Sequence, residues 1–153
     1  MAKKDRIPNI SIENATILFR NFAGNPDKYH KNGGYRKFNV IIEDPEEAQK
    51  LSDDGWNVRI LAPRDEGDEP RHTLEVAVTF NQYPPKIVMI TRRAKVELDE
   101  ESVASLDYAD IISADLVITP YTWEVDGKSG IKAYLKTMYV TIEEDEFADK
   151  YAD

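Results

Sequence analysis

The chain has 153 residues, no cysteine and a formal net charge of -9. Its length suits one domain with a hydrophobic core, and the lack of cysteine excludes disulfides, thiolate metal sites and a cysteine nucleophile. No apolar run is long enough to cross a bilayer, and the charged N-terminus has no apolar signal segment. We therefore expect a cytoplasmic protein that does not contact membranes.

Charge is segregated along the chain. Residues 20–37 carry five Lys or Arg against one Asp, and residues 86–95 carry four against no acid. Residues 43–54 hold six acids against one Lys, and residues 143–153 hold six acids against Lys150. Separate basic and acidic surfaces are expected, so the negative total does not exclude a polyanionic partner.

The first half of the chain predicts two strands and one helix. Residues 10–22 are β-prone, and residues 35–42 alternate between apolar and polar side chains, as in a half-buried strand. Asp44 is a helix N-cap followed by proline and two glutamates, and the helix is expected to end at Gly55. Residues 1–9 form a predicted basic arm ahead of the first strand.

The second half predicts the remaining strands. They are expected at residues 56–61, 74–80, 86–91, 111–125 and 131–142. An acidic loop at 63–71 and a short helix at 100–106 lie between them, and the turn sequence at 126–130 joins the last two strands as a hairpin. About seven strands with one helix suit a small β-barrel, and the OB-fold is the barrel that most often carries oligonucleotides. We predict an all-β, OB-fold-like domain over residues 10–142, with a disordered acidic tail at 143–153.

Aromatic and basic residues alternate on the predicted outer faces of the strands. One face of the last strand carries Lys132, Tyr134, Lys136 and Met138. Lysines can follow the phosphates of a nucleic acid while a ring stacks on a base. Burying Tyr134 would also bury the two lysines beside it, so we expect this face on the outside of the barrel.

Neighbouring elements add residues of the same kind. Tyr121 and Trp123 share one face of the hairpin partner, and the sequence leaves open whether that face is core or surface. Arg92 and Arg93 lie in a turn that is either solvated or binds phosphate. The expected nucleic-acid-binding residues are Tyr134, Lys132, Lys136, Tyr35, Lys37, Arg36, Arg59, Tyr121, Trp123, Lys31, Arg92 and Arg93.

A catalytic or cofactor-binding site has no support in the sequence. His30 and His72 lie in predicted loops without metal-ligand spacing, and no phosphate-binding glycine motif is present. The acidic residues at 65–69 lack the regular spacing of a calcium loop, so a solvated loop is expected there. We predict that the protein is not an enzyme and needs no metal or cofactor.

The acidic end of the chain also contains aromatic residues. The residues of interest are Glu144, Asp145, Glu146, Phe147 and Tyr151. Acids can imitate phosphates and a ring can imitate a base, so this tail is expected to compete with DNA for the basic surface and to bind partner proteins. A solubilising terminus is the alternative.

Several segments together resemble one protein family. They are NFAG at 21–24, DDGWNV at 53–58, PPKIV at 84–88, PYTWEVDG at 120–127, KAYLKTMY at 132–139 and the acidic end. In these segments the chain resembles the OB-fold single-stranded-DNA-binding proteins of tailed bacteriophages. The resemblance implies coating of single strands during phage DNA replication, recombination and repair inside the bacterial host cell, and it implies no catalytic residue.

The resulting prediction is binding of single-stranded DNA without sequence preference, by base stacking and phosphate contacts, under the control of the tail. The main alternative is a phage structural or protein-interaction module that does not bind nucleic acid. RNA is a close variant of DNA as the ligand, because stacking does not distinguish the two. The oligomeric state, a homodimer included, is left open.

Overall fold

The computed structural model describes residues 7–63, 65–81 and 84–143. Its elements are β1 Ile10–Ala15, β2 Ile17–Asn21, β3 Arg36–Ile42, α1 Pro45–Asp54, β4 Val58–Leu61, β5 Arg71–Val78, β6 Lys86–Ile90, β7 Lys95–Leu98, a short 3-10 helix Val103–Asp107, β8 Ile111–Val125 and β9 Lys128–Ile142. The predicted mostly-β fold is confirmed. Most of the predicted basic arm, and the tail beyond Glu143, lie outside the described residues.

The capping signals of α1 are satisfied as the sequence predicts. The Asp44 carboxylate accepts a hydrogen bond from the Glu46 amide at 2.9 Å. At the other end Gly55 has a φ of 109°, and its N–H reaches the last turn of the helix. Only Ala48 and Leu51 are buried, so the helix covers the core with one narrow face.

One bent stretch of chain closes the sheet into a barrel. The hydrogen-bonded strand order is β1-β8-β9-β5-β3-β2, and the two ends of this path, β1 and β2, are separated only by Thr16. The predicted strand at 10–22 is therefore divided, because its first half pairs with β8 and its second half with β3. The register shifts in each half, around Asn14 and Phe19, whose φ angles are 51° and 52°. Such bulges increase strand twist and make the bend possible.

The other short strands extend this ring. β5 pairs with β3 along one edge and with β4 and β9 along the other. β9 pairs with β8 along its length, while β5 and then β6 occupy its opposite edge. β7 adds a hairpin to β6 that the sequence analysis did not predict. Together with the division of the first strand, this raises the strand number from about seven to nine.

The core lies inside the ring and is closed at one end by the 3-10 helix. Phe22 and Phe38 are fully buried there, with ring centres 5.4 Å apart. The Asp107 carboxylate accepts the amide protons of Phe22 at 2.7 Å and of Ala23 at 3.0 Å. Arg20 donates to the carbonyl oxygen of Leu106 in this helix at 2.6 Å and to that of Ala109 just after it at 2.7 Å. These polar contacts attach the helix to the end of β2.

β9 contains a bulge at Lys136. Val117 and Ile118 are consecutive on β8, but their partners on β9 are Thr137 and Leu135. Lys136 is therefore an extra residue in the pairing. Because side chains alternate along a strand, one extra residue exchanges the two faces beyond it.

This exchange corrects one prediction. Before the bulge, Lys132 and Tyr134 face away from the core, as predicted. Beyond it Met138 is fully buried and Tyr139 is exposed. The expectation that Met138 shares the face of Tyr134 is therefore wrong.

Candidate nucleic-acid interface

Four strands contribute side chains to one outer face of the barrel. Directly paired residues lie side by side on the same face of a sheet, so the register defines its rows. One row across β3, β5, β9 and β8 is Lys37, Ala77, Tyr134 and Thr119. The adjacent positions are Asn39, Glu75, Lys132 and Tyr121. We call the surface formed by these two rows the outer face.

A connected line of rings crosses the outer face. This aromatic ribbon consists of His30, Tyr35, Tyr134 and Tyr121, with Lys132 at its centre. His30 stacks on Tyr35 with ring centres 4.3 Å apart. The Lys132 ammonium lies 4.9 Å from the ring centre of Tyr35 and 5.3 Å from that of Tyr134. Tyr134 in turn meets Tyr121 edge-to-face at 6.0 Å.

The two hairpin aromatics whose face the sequence left open lie on the outside. Tyr121 is 60% exposed and Trp123 is 40% exposed. Trp123 pairs with Gly130 across the hairpin. A Cβ atom on Gly130 would come within 2.8 Å of the indole, so glycine is what lets this ring approach the backbone of β9.

A carboxylate lies among these rings and cations. The Tyr35 hydroxyl donates to Glu75 Oε2 at 3.2 Å, and the Lys37 ammonium donates to Glu75 Oε1 at 3.1 Å. Burial, and then the negative charge of Glu75, raise the pKa of the Tyr35 phenol well above its usual range. The hydrogen bond to Glu75 fixes the orientation of the Tyr35 ring.

A cleft of about 510 Å³ opens beside the ribbon. Its walls include His30, Tyr35, Trp56, Glu75, Trp123 and Lys132. Trp56 is only 3% exposed and forms the floor, where its backbone bridges to Ile131. Rings of the kind that stack on bases therefore lie close to an ammonium group, which can donate hydrogen bonds to a phosphate.

Three more of the expected residues lie around this surface. Arg59 on β4 is exposed and pairs with Thr73, which is two residues from Glu75 on the same side of β5. Lys31 is exposed and follows His30 directly. Lys136 is exposed at the bulge, two residues beyond Tyr134.

Arg36 is not part of the outer face. It alternates with Lys37 and so points to the same side as Phe38. Its guanidinium lies 3.5 Å from a carboxylate oxygen of Glu100 and 5.5 Å from the ring centre of Phe80. These contacts give Arg36 a structural role, and the geometry offers no support for the phosphate contact expected from the sequence.

Arg92 and Arg93 lie far from the ribbon. They occupy the turn between β6 and β7, and β6 runs beside β9 with Ile90 next to Thr141. Thr141 is seven residues from Tyr134, which is about 23 Å along a strand. The structure therefore does not bring these two arginines together with the other expected residues.

Sequence reasoning missed Glu75, Ala77 and Gly130. The alternation of residues 74–80 does place Glu75 and Ala77 on the outer side, but neither is aromatic or basic, so a search for those residue types passes over them. Among the described residues, no three His, Asp or Glu side chains are grouped as metal ligands. The described helices are all too short or too polar to span a bilayer.

Solved structures with the same fold come from a bacteriophage protein. A single-stranded DNA-binding protein from bacteriophage Enc34 matches with a TM-score of 0.56 and 13% identity, covering 99% of this chain and 94% of that one. The same Enc34 protein in complex with ssDNA matches with a TM-score of 0.56 and 14% identity, covering 91% and 89%. No curated protein matches the sequence.

One protein-family model matches along the whole of residues 1–153. It is the model of the phage ssDNA-binding domain. This match confirms the resemblance noted in the sequence segments. The chain therefore belongs to the phage ssDNA-binding domain family.

Proposed function

We propose that this protein binds single-stranded DNA, without strong sequence preference, across the outer face. The observation that carries the proposal is the aromatic ribbon, in which Lys132 lies between the rings of Tyr35 and Tyr134. Every base has a π-face, so a ring accepts any of them, while the ammonium group attracts the phosphates. Family membership and the ssDNA bound in a structure of similar fold support this ligand.

The arrangement favours a single strand over a duplex. In a duplex both faces of each base are covered by neighbouring base pairs, and rings such as Tyr121 and Tyr134 cannot stack on them. Tyr121 and Trp123 are both exposed, so their rings are accessible to unstacked bases. We therefore expect stacking to supply selectivity for single strands.

Phosphate contacts are expected to be few. Lys37 is already paired with Glu75, and Arg36 with Glu100, so neither has its full charge available to DNA. The cations that remain on or beside the outer face are Lys31, Arg59, Lys132 and Lys136. Neutralisation of about three to five phosphates gives a slope of about -2 to -3.5 for log K against log salt.

Anisotropy titrations with a labelled oligothymidylate and with a duplex of the same length test this function. We expect clearly tighter binding of the single strand and a salt slope within the range above. Equal affinity for both forms would contradict the stacking mechanism. Absence of binding to either would favour a protein-interaction module instead.

The biological role that we propose is passive coating of single strands during phage DNA replication, recombination and repair in the host cell. The outer face offers stacking and charge contacts, which hold a strand but do not break or form bonds. Membership of the phage family supports this setting. Assays of replication and strand annealing with the purified protein would test the roles in replication and recombination.

We also propose that the tail competes with DNA. Residues 144–153 contain five acids against Lys150. The backbone of Glu143 is held by a hydrogen bond to the Asp110 carbonyl at 2.7 Å, so a truncation after Glu143 leaves this contact in place. The acids and rings of this segment, Glu144, Asp145, Glu146, Phe147 and Tyr151, are also the proposed contacts for partner proteins.

Truncation after Glu143 is expected to tighten oligonucleotide binding at low salt, with the difference shrinking as salt screens the charges. A full-length variant with the five acids changed to Asn or Gln is the matched control, and it should reproduce the gain. Affinity that stays the same or falls after truncation contradicts the competition.

A further inference from the structure

We propose that Tyr139 and Lys86 form a second stacking platform on the path of the DNA strand. The proposal rests on the function proposed above and extends the binding surface along β9, beyond the bulge. Tyr139 is 38% exposed, and the Lys86 ammonium lies 5.8 Å from its ring centre. This pairing of a ring with an ammonium group repeats the arrangement of Tyr134 with Lys132.

The two platforms lie on the same face of the sheet, as the neighbouring strand shows. β8 alternates without interruption here, with Leu116 and Ile118 buried and Asp115 exposed. Thr119 pairs with Tyr134, and Asp115 pairs with Tyr139. Since these two β8 residues point to the same side, the tyrosines beside them do so as well. Asp115 and Thr119 are four positions apart on β8, which is about 13 Å.

The bulge is what places Tyr139 on this face. Tyr134 and Tyr139 are five residues apart, and in a regular strand an odd separation puts two side chains on opposite faces. The extra residue, Lys136, restores the common face. Without it, the position of Tyr139 would face the core that Met138 now fills.

The bulge also supplies a cation between the two rings. Lys136 is exposed. Three lysines therefore lie along the proposed course of the DNA strand: Lys132, Lys136 and Lys86. Asp115 lies beside Tyr139 and opposes phosphate there, although one of its oxygens accepts the Asn14 amide proton at 2.8 Å. The second platform therefore contributes by stacking on a base more than by attracting phosphate.

The distance between the two platforms determines how many nucleotides a strand needs to contact both. At about 3.4 Å per stacked nucleotide, 13 Å corresponds to about four nucleotides. An oligothymidylate of about two nucleotides is too short to reach from one platform to the other, whereas one of about twelve nucleotides covers both. The effect of losing Tyr139 should therefore depend on oligomer length.

The test measures affinities of the full-length protein for these two oligomers. We expect Tyr139→Ala to weaken binding of the longer oligomer by about fivefold or more and to leave the shorter one unchanged. Tyr139→Phe keeps the ring and should bind as the wild type does. Tyr108→Ala removes a tyrosine that is 85% exposed directly after the 3-10 helix and on neither β8 nor β9, and it should also bind normally.

Unchanged binding of the longer oligomer by Tyr139→Ala would overturn the second platform, and so would an equal loss for both lengths. Tyr134→Ala, measured in parallel, separates this failure from that of the proposed function. If Tyr134→Ala weakens binding and Tyr139→Ala does not, only the second platform is wrong. If neither variant loses affinity, binding at the outer face is wrong as well.

Discussion

Replacing Tyr134 with alanine is expected to weaken binding of single-stranded DNA by about 5- to 150-fold, since a stacked base contributes about 1–3 kcal/mol. Tyr134 lies in the middle of β9 and connects the Lys132 ammonium with the exposed ring of Tyr121. It meets Tyr121 edge-to-face and lies under the Lys132 ammonium. Loss of the Tyr134 ring removes one stacking surface. It also leaves the Tyr121 ring and the Lys132 ammonium without a contact that orients them. The measurement is an anisotropy titration with an oligothymidylate at fixed salt.

Two controls make the Tyr134 result specific. Tyr134→Phe retains the ring and should bind nearly as the wild type does. Because Tyr134 is half-buried, the unfolding midpoint of Tyr134→Ala must be compared with that of the wild type. A folded Tyr134→Ala protein with wild-type affinity would show that bases do not stack at this position.

Asp107→Ala is expected to lower the free energy of unfolding by about 2–4 kcal/mol. Its carboxylate accepts two backbone amide protons, from Phe22 and Ala23, at the end of β2. Hydrogen bonds to a charged group contribute about 1.5–3 kcal/mol each, and removal of the acceptor leaves partly buried donors unsatisfied. Total stabilities of small domains are about 5–15 kcal/mol, so this loss is large.

Chemical denaturation measures the Asp107 effect. Asp107→Asn keeps one acceptor oxygen without the charge. Its free energy of unfolding should therefore lie between those of the wild type and Asp107→Ala. A loss below about 0.5 kcal/mol for Asp107→Ala, the level of an ordinary surface substitution, would mean that these bonds do not hold the 3-10 helix to the barrel.

Local signals in the sequence were sufficient for much of the fold. Asp44 and Gly55 mark the ends of α1 because capping depends on neighbouring residues alone. The predicted hairpin is present, but its turn is shorter than the expected 126–130: β9 begins at Lys128, and Asp126 and Gly127 form the turn with φ angles of 51° and 79°. The division of the strand at 10–22 was not predictable in this way, because it depends on two different partner strands.

The bulge at Lys136 likewise could not be predicted from the sequence of its own strand. Alternation within β9 predicts the faces correctly up to Leu135, but an extra residue is defined only by the pairing with β8. Sequence patterns likewise could not decide which face of β8 is buried, and so the positions of Tyr121 and Trp123 required the structure.

Charge counts along the sequence overestimated the basic surface. In the basic segment 20–37, Arg20 donates to carbonyl oxygens at the 3-10 helix, and Arg36 pairs with Glu100. Lys37 pairs with Glu75 from the neighbouring strand. Acids and carbonyls that are distant in sequence thus take up charges that a count within the segment treats as available to DNA.

Photocrosslinking tests the central claim most directly, because it locates the strand on the protein. Oligothymidylates carrying 5-bromodeoxyuridine are irradiated with the full-length protein, and the crosslinked peptides are identified by mass spectrometry. We expect crosslinks at the outer face and the hairpin rings beside it, at Tyr35, Tyr121, Trp123 and Tyr134. Crosslinks confined to α1 or to Tyr108, with none in the β8–β9 hairpin, would contradict it.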